Sequence, residues 1–270
     1  MTVHAILDIV ESNKHLRKLC IERNQIGIEH IERLCSTVCN YPLMQFSLPK
    51  SFVGGIGDQM LTALLTSGEL KLESLDMSGN NITSAVSTIL SDFLASNPTL
   101  KELCLADNNL DDSDAELIAN ALRTNTTLRD LDLEDNDITD DGSEAFQLVM
   151  CDESSLNAAF DSNHFCYWHY DEHNSQEQWQ TNRASKVYRL LSSRNRTLSN
   201  VTHFGDIHVK ILPNMLEVVQ KYHCDAIIMY NLDFEFRITY VEPLSIMYEI
   251  MRKWDKAFPL YKSLGKSVKS

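Results

Sequence analysis

Long apolar runs are missing from this chain of 270 residues: none approaches 18 residues, which excludes a membrane-spanning helix. The opening MTVHAILDIVESN lacks the basic region, apolar core and cleavage site of a secretory leader, because acids enter its first turns. The cysteines lack a pairing pattern; there are 7, an odd number, irregularly spaced at 20, 35, 39, 104, 151, 166 and 224. Free thiols in a reducing, cytoplasmic setting are expected, where the sequons at Asn81, Asn125, Asn195 and Asn200 carry no weight. No P-loop, GxGxxG, HExxH or GxSxG occurs, so neither an enzyme nor a cofactor is expected. The run DNDITDDG is acidic, but a loop opening at Asp137 puts Leu148 where an EF-hand needs its bidentate glutamate, and one opening at Asp135 puts Asp140 where it needs glycine.

Positive charge is scarce in the middle of the chain. The whole carries −14, and residues 69–142, with 17 acids against 4 bases, hold −13 of it. Such a stretch repels nucleic acid and attracts basic partners. Bases gather instead in Arg183, Lys186, Arg189, Arg194 and Arg196, a stretch with no acid, and in the tail from Arg252 to Lys269, with 6 bases and 1 acid. These read as solvated helix faces.

What the chain has in abundance is one frame, LxxLxLxxNxL. It occurs three times at 28-residue intervals, as LESLDMSGNNI from Leu72, LKELCLADNNL from Leu100 and LRDLDLEDNDI from Leu128. Looser copies open at Leu16 (LRKLCIERNQI), Leu43 (LMQFSLPKSFV) and Ser155 (SLNAAFDSNHF), giving 6 starts spaced 27 to 29 residues. A fixed period of this size means one elongated array whose core is a continuous stripe.

Within each frame, leucines alternate with variable residues, the period of a strand with one buried side. Helical spacing takes over after the Asn: Ile89, Leu90, Phe93 and Leu94; Leu117, Ile118, Ala121 and Leu122; Ala145, Phe146, Val149 and Met150. Thr83 or Ser84, Ser113, and Thr139 or Asp140 are the expected helix caps. Asn13, Asn40, Asn97, Asn125 and Asn195 each stand three residues before a strand-opening leucine, where a left-handed residue ends a helix. Strand, turn, helix and strand again forces parallel strands with the helices on the other side. The expected fold is an α/β solenoid, a horseshoe with strands on its concave face and helices on its convex face.

These residues resemble the ribonuclease-inhibitor-like class of leucine-rich repeats over about residues 1–205. The resemblance implies a ladder of frame asparagines, here Asn24, Asn80, Asn108, Asn136 and Asn163, and a ligand on the concave strands. Ser51 stands where the second frame needs its Asn, and Ala158 and Phe160 replace leucines in the sixth.

Beyond the frames, His164 opens HFCYWHYDEHNSQEQWQTN, read as an insertion near 164–180. Its Cys166, His169 and His173, with Asp171 or Glu172, have zinc-ligand spacing, but the second half of a finger is missing. The aromatics Phe165, Tyr167, Trp168 and Tyr170 are expected to cover the edge of the last good repeats, and no metal is assigned. Helices are expected over 182–193 and 212–222, a half-exposed strand over Leu232 to Tyr240, and a helix between Pro243 and Pro259. Residues 206–270 are read as a C-terminal capping region with a basic tail, because a solenoid must cover its last strand. The chain is expected to open in mid-repeat: either its first helix is a minimal cap, or earlier repeats are missing and the first strand edge is expected to self-associate.

Function is expected on the variable strand positions. Arg17, Lys18, Cys20, Glu22 and Arg23 face outward in the first repeat, then Glu73, Ser74 and Asp76; Lys101, Glu102, Cys104 and Asp107; Arg129, Asp130, Asp132, Glu134 and Asp135. The face runs from basic to acidic, and Asp76, Glu102, Asp107, Asp130, Asp132, Glu134 and Asp135 are its partner-binding candidates. A scaffold for a basic protein is the first expectation. The alternative, by fold analogy alone, is a regulator of small GTPases or actin, with Arg17 or Arg23 as an arginine finger.

Overall fold

The computed structural model describes residues 3–52, 54–68, 70–169 and 186. The helices expected after residue 181, apart from Lys186, and the strand over 232–240 lie outside the described residues. So do the capping region 206–270, Tyr170, Asp171, Glu172 and His173.

Among the described residues six short strands form one sheet in the order β1-β2-β3-β4-β5-β6, every neighbouring pair parallel. They are β1 Lys18–Cys20, β2 Gln45–Ser47, β3 Ser74–Asp76, β4 Glu102–Cys104, β5 Asp130–Asp132 and β6 Tyr167–His169. Helices α1 Val3–Ser12, α2 Ile31–Asn40, α3 Ile56–Thr66, α4 Ser87–Ala95, α5 Asp112–Leu122 and α6 Asp140–Met150 alternate with them, and α7 Leu156–Asp161 follows α6. This is the expected α/β solenoid.

Rows of apolar side chains stack at each frame position. Leu19, Phe46, Leu75, Leu103, Leu131 and Trp168 form the middle row, each buried at the centre of its strand. Ile21, Leu48, Met77, Leu105 and Leu133 form the next, and Ile26, Phe52, Ile82 and Leu110 another beyond the Asn position. From the helices, Leu34, Leu61, Leu64, Leu90, Leu94, Ile118, Leu122 and Phe146 complete one continuous core. Burying a side chain of this size contributes about 1.5–3 kcal/mol, so the stacked rows are the main favourable term. Leu117, read as part of the apolar stripe of α5, is instead exposed.

Helix starts differ in one case from the expected caps. Thr83 accepts from the Ala85 N–H as expected, but α5 is capped by Asp111, two residues ahead of Ser113. Its carboxylate accepts from the Ser113 and Asp114 N–H groups, while Asp114 accepts from the Asp111 N–H in return. An ionised side chain is the stronger acceptor at a helix N-terminus.

The sixth repeat corrects the sequence reading. Its strand is Tyr167–His169, inside the stretch read as an insertion, and lies 37 residues after β5. The segment read as the sixth frame instead contains α7. Trp168 takes the leucine position, fully buried and stacked on Phe146 at 4.5 Å between ring centroids. The leucine pattern concealed this because a bulky aromatic fills the site at the end of the row.

The chain divides into two compact units, residues 1–150 with 163–181, and residues 151–162 with 182–270. In the second, Ser155 caps α7 by accepting from the Ala158 N–H, and the Ser162 hydroxyl accepts from the Asp152 N–H and donates to the Ala158 carbonyl. Among the described residues β1 pairs with β2 alone, and no helix is long and apolar enough to cross a membrane.

Candidate functional site

Strands β1 to β5 each end in a turn that repeats one conformation. Arg23, Lys50, Gly79, Asp107 and Asp135 occupy equivalent positions with φ of 53°, 52°, 65°, 55° and 54°, all left-handed. Glycine enters this region without cost and aspartate with little, whereas a long side chain is held there against roughly 1–2 kcal/mol. The following asparagines supply the compensation. The Asn80 Oδ1 accepts from the Ser51 and Phe52 N–H groups at 2.8 and 2.9 Å, and its amide donates to the carbonyls of Leu48, Met77 and Ser78. One repeat on, the Asn108 Oδ1 accepts from Asn80 and Ile82, and its amide donates to Met77, Leu105 and Ala106. Asn136 accepts from the Leu110 N–H and donates to Leu105, Leu133 and Glu134.

The column changes at its ends. Ser51, at the position lacking Asn, is buried and its hydroxyl donates to the Ile21 carbonyl at 2.6 Å, so the link to the preceding repeat survives on a shorter side chain. Asn24 donates to the Glu22 carbonyl within its own turn. Asn163 stands elsewhere: it donates to the Leu122 and Asn125 carbonyls and accepts from Phe165 and Cys166. That is the duty of Asn125, which donates to Leu94 and accepts from Thr127 and Leu128 ahead of β5. Asn163 therefore opens the sixth strand instead of closing it.

The sequence also concealed a column of aspartates at the helix starts. Asp58 accepts from the Thr83 N–H and hydroxyl, both at 2.8 Å, and Asp112 accepts the same pair from Thr139 and a third bond from the Gly142 N–H. The donors from Thr139 hold the Asp112 carboxyl below its ordinary pKa. Buried Asp114 accepts from the hydroxyls of Ser84 and Ser87 in the preceding repeat. Part of the acidity of repeats three to five thus joins neighbouring repeats. The recurrence of Asp and Thr at 25 and 27 residues was the available signal.

On the face turned from the helices, two columns cross the sheet in register. Lys18, Gln45, Ser74, Glu102, Asp130 and Tyr167 form one; Cys20, Ser47, Asp76, Cys104, Asp132 and His169 form the other. Ser47 donates to Asp76 at 2.8 Å, and the Ser78 N–H and hydroxyl fix the second oxygen of that carboxylate. The Cys104 thiol and the Glu134 N–H hold the two oxygens of Asp132 at 3.3 and 3.1 Å. Burial, with Asp132 and Asp76 beside it, pushes the Cys104 thiol up to about 12, so it remains a neutral donor.

Asp107 and Asp135 stand apart from these columns, in the left-handed turns. Asp107 pairs with Lys50 at 2.7 Å across Gly79, where a Cβ would come within 2.5 Å of the lysine side chain. Nearby bases have partners: Lys101 pairs with Glu73 at 2.9 Å, and the Arg129 guanidinium lies 5.0 Å from the centroid of the Phe165 ring. Arg17 donates to the carbonyls of Lys14 and Pro42, and Arg23 lies beside its own neighbour Glu22. Cys166 is buried in the core, and among the described residues no three metal-ligating side chains converge.

The fold and its asparagine-linked turns are those of a leucine-rich-repeat solenoid. Family patterns agree: residues 71–96 match a Leucine Rich Repeat, and residues 96–119 and 124–146 match a second Leucine Rich repeat description. The alternation of one strand with each helix through these repeats agrees with the ribonuclease-inhibitor-like form. No curated protein matches the chain. Among solved structures, the tropomodulin C-terminal domain of Caenorhabditis elegans is 18% identical over 54% of this chain and 92% of its own, with a TM-score of 0.41. Leiomodin-1 actin-binding site 2 is 12% identical over 73% of this chain and 94% of its own, at 0.36. Likenesses of this size say nothing of what this chain binds.

Proposed function

We propose that the protein is a non-catalytic interaction scaffold that receives a basic protein surface on the concave strand face of repeats three to five. The observation that carries this reading is the alignment of Asp76, Glu102, Asp130 and Asp132 over three adjacent strands. The bases beside them, Lys101 and Arg129, are engaged by Glu73 and Phe165. A rigid sheet presenting one sign of charge steers an oppositely charged partner and raises its association rate, with an effect that weakens in salt. Stacked repeats hold such a surface without rearrangement, so little ordering cost falls on this side of the complex. Glu134 and Asp135 extend the same field toward the turn of the fifth repeat. The test is titration of the whole chain with a partner recovered by crosslinking, beside the Asp132→Lys, Glu134→Lys double variant. The reading expects affinity to fall about tenfold or more with the thermal midpoint kept. Unchanged affinity would remove it.

A further inference from the structure

Among the described residues the last strand of this face differs from its middle, because β6 sets two rings beside the carboxylates of β5. In register, Tyr167 stands opposite Asp130 and His169 opposite Asp132. The two rings meet edge to face, with centroids 4.5 Å apart, and the His169 Nε2 lies 3.5 Å from an Asp130 oxygen. Asp132 is already oriented by the Cys104 thiol and the Glu134 N–H. Ring faces and fixed carboxylates therefore share one end of an otherwise aromatic-poor surface.

We propose that this β5–β6 end is an arginine slot, in which a guanidinium of the basic partner lies against Tyr167 or His169 and donates to Asp130 and Asp132. The proposal rests on the acidic-face reading and adds its anchor. Arginine fits better than lysine because its planar fork donates to carboxylates in pairs while its face stacks on a ring; the lysine ammonium is a strongly hydrated point charge. The same chemistry occurs within the molecule two residues away, where the Arg129 guanidinium lies over Phe165. Interfaces draw most of their energy from a few aromatic and arginine contacts, and this is where the face offers one.

The experiment measures fluorescence anisotropy of two labelled peptides, equal in length and charge, one carrying arginines and the other lysines, against the whole chain. The arginine peptide binds about tenfold tighter. Tyr167→Leu and, as a separate milder change, His169→Gln each bring it toward the lysine level and leave the lysine affinity in place. Asp76→Asn with Glu102→Gln weakens both peptides alike. Equal affinities that both fall with salt would overturn the slot and leave the acidic face standing, as would an arginine preference that survives both ring variants. Binding of neither peptide would overturn both.

Discussion

The asparagine column and the outward column that carries Asp76 and Asp132 run through the same repeats, four residues apart in repeats three to five: Asp76 and Asn80, Cys104 and Asn108, Asp132 and Asn136. Asn80 and Asn108 are buried with both ends of their amides bonded to backbone of two repeats. Asp76 and Asp132 are half-exposed, and their bonds come from neighbours that orient the carboxylate without neutralising it. Short polar side chains four residues apart thus do different work, one set joining repeats and the other facing outward. The difference is one of satisfaction: a saturated amide stabilises the fold, whereas Asp76 and Asp132 carry charge that no ion pair among the described residues neutralises.

The largest expected effect is at the saturated column. Asn108→Leu leaves the buried N–H groups of Asn80 and Ile82 without their acceptor and takes one of two donors from the carbonyls of Met77, Leu105 and Ala106, and should cost about 3–4 kcal/mol in urea unfolding. A cost under about 1 kcal/mol would mean that water serves the turn equally well. Trp168→Ala removes the ring that stacks on Phe146 and ends the middle core row, at about 3 kcal/mol by the same measurement. A wild-type midpoint would show that β6 is no part of the repeat core.

Smaller effects separate the turn from the columns it joins. Gly79→Ala puts a side chain at φ 65° and against Lys50, and should cost about 1–2 kcal/mol. Lys50→Ala should cost under about 1 kcal/mol, because both partners of its ion pair with Asp107 are about half exposed. Asp112 offers a pH test of the helix-start column. Its folded pKa is lowered from 3.8, chiefly by the Thr139 N–H and hydroxyl. The stability it adds is fully present above pH about 4 and is lost as pH falls through the depressed folded value. Wild type should therefore exceed Asp112→Asn in stability at neutral pH and converge with it in acid, and a constant gap down to low pH would contradict the assignment.

Much of this was legible in the sequence because the leucine period and the Asn position are enforced by burial, which admits few substitutes. The parallel order, the helix alternation and the alignment of Asp76, Glu102, Asp130 and Asp132 follow from counting residues from Leu72, Leu100 and Leu128. The sixth repeat was not legible, since Trp168 and Cys166 replace leucines and the interval stretches to 37 residues. Misplacing it hid Tyr167 and His169, the rings on the outward face, and gave Asn163 the wrong turn. Ser113, expected as the cap, lies inside the helix that Asp111 caps, because periodicity fixes where a helix lies better than where it starts. Side-chain partners such as Asp112 with Thr139 were beyond a pattern that follows apolar positions alone.

The central claim is that the outward carboxylates bind while the inward asparagines hold. Its most direct test measures binding of the crosslinked partner, at low and high salt, by wild type, by the Asp132→Lys, Glu134→Lys variant and by Asn108→Leu below its unfolding midpoint. Wild type should show strong salt dependence, the charge-reversed chain about tenfold weaker and flatter binding, and folded Asn108→Leu near-wild-type affinity. Binding that ignores salt and both reversed charges would contradict it.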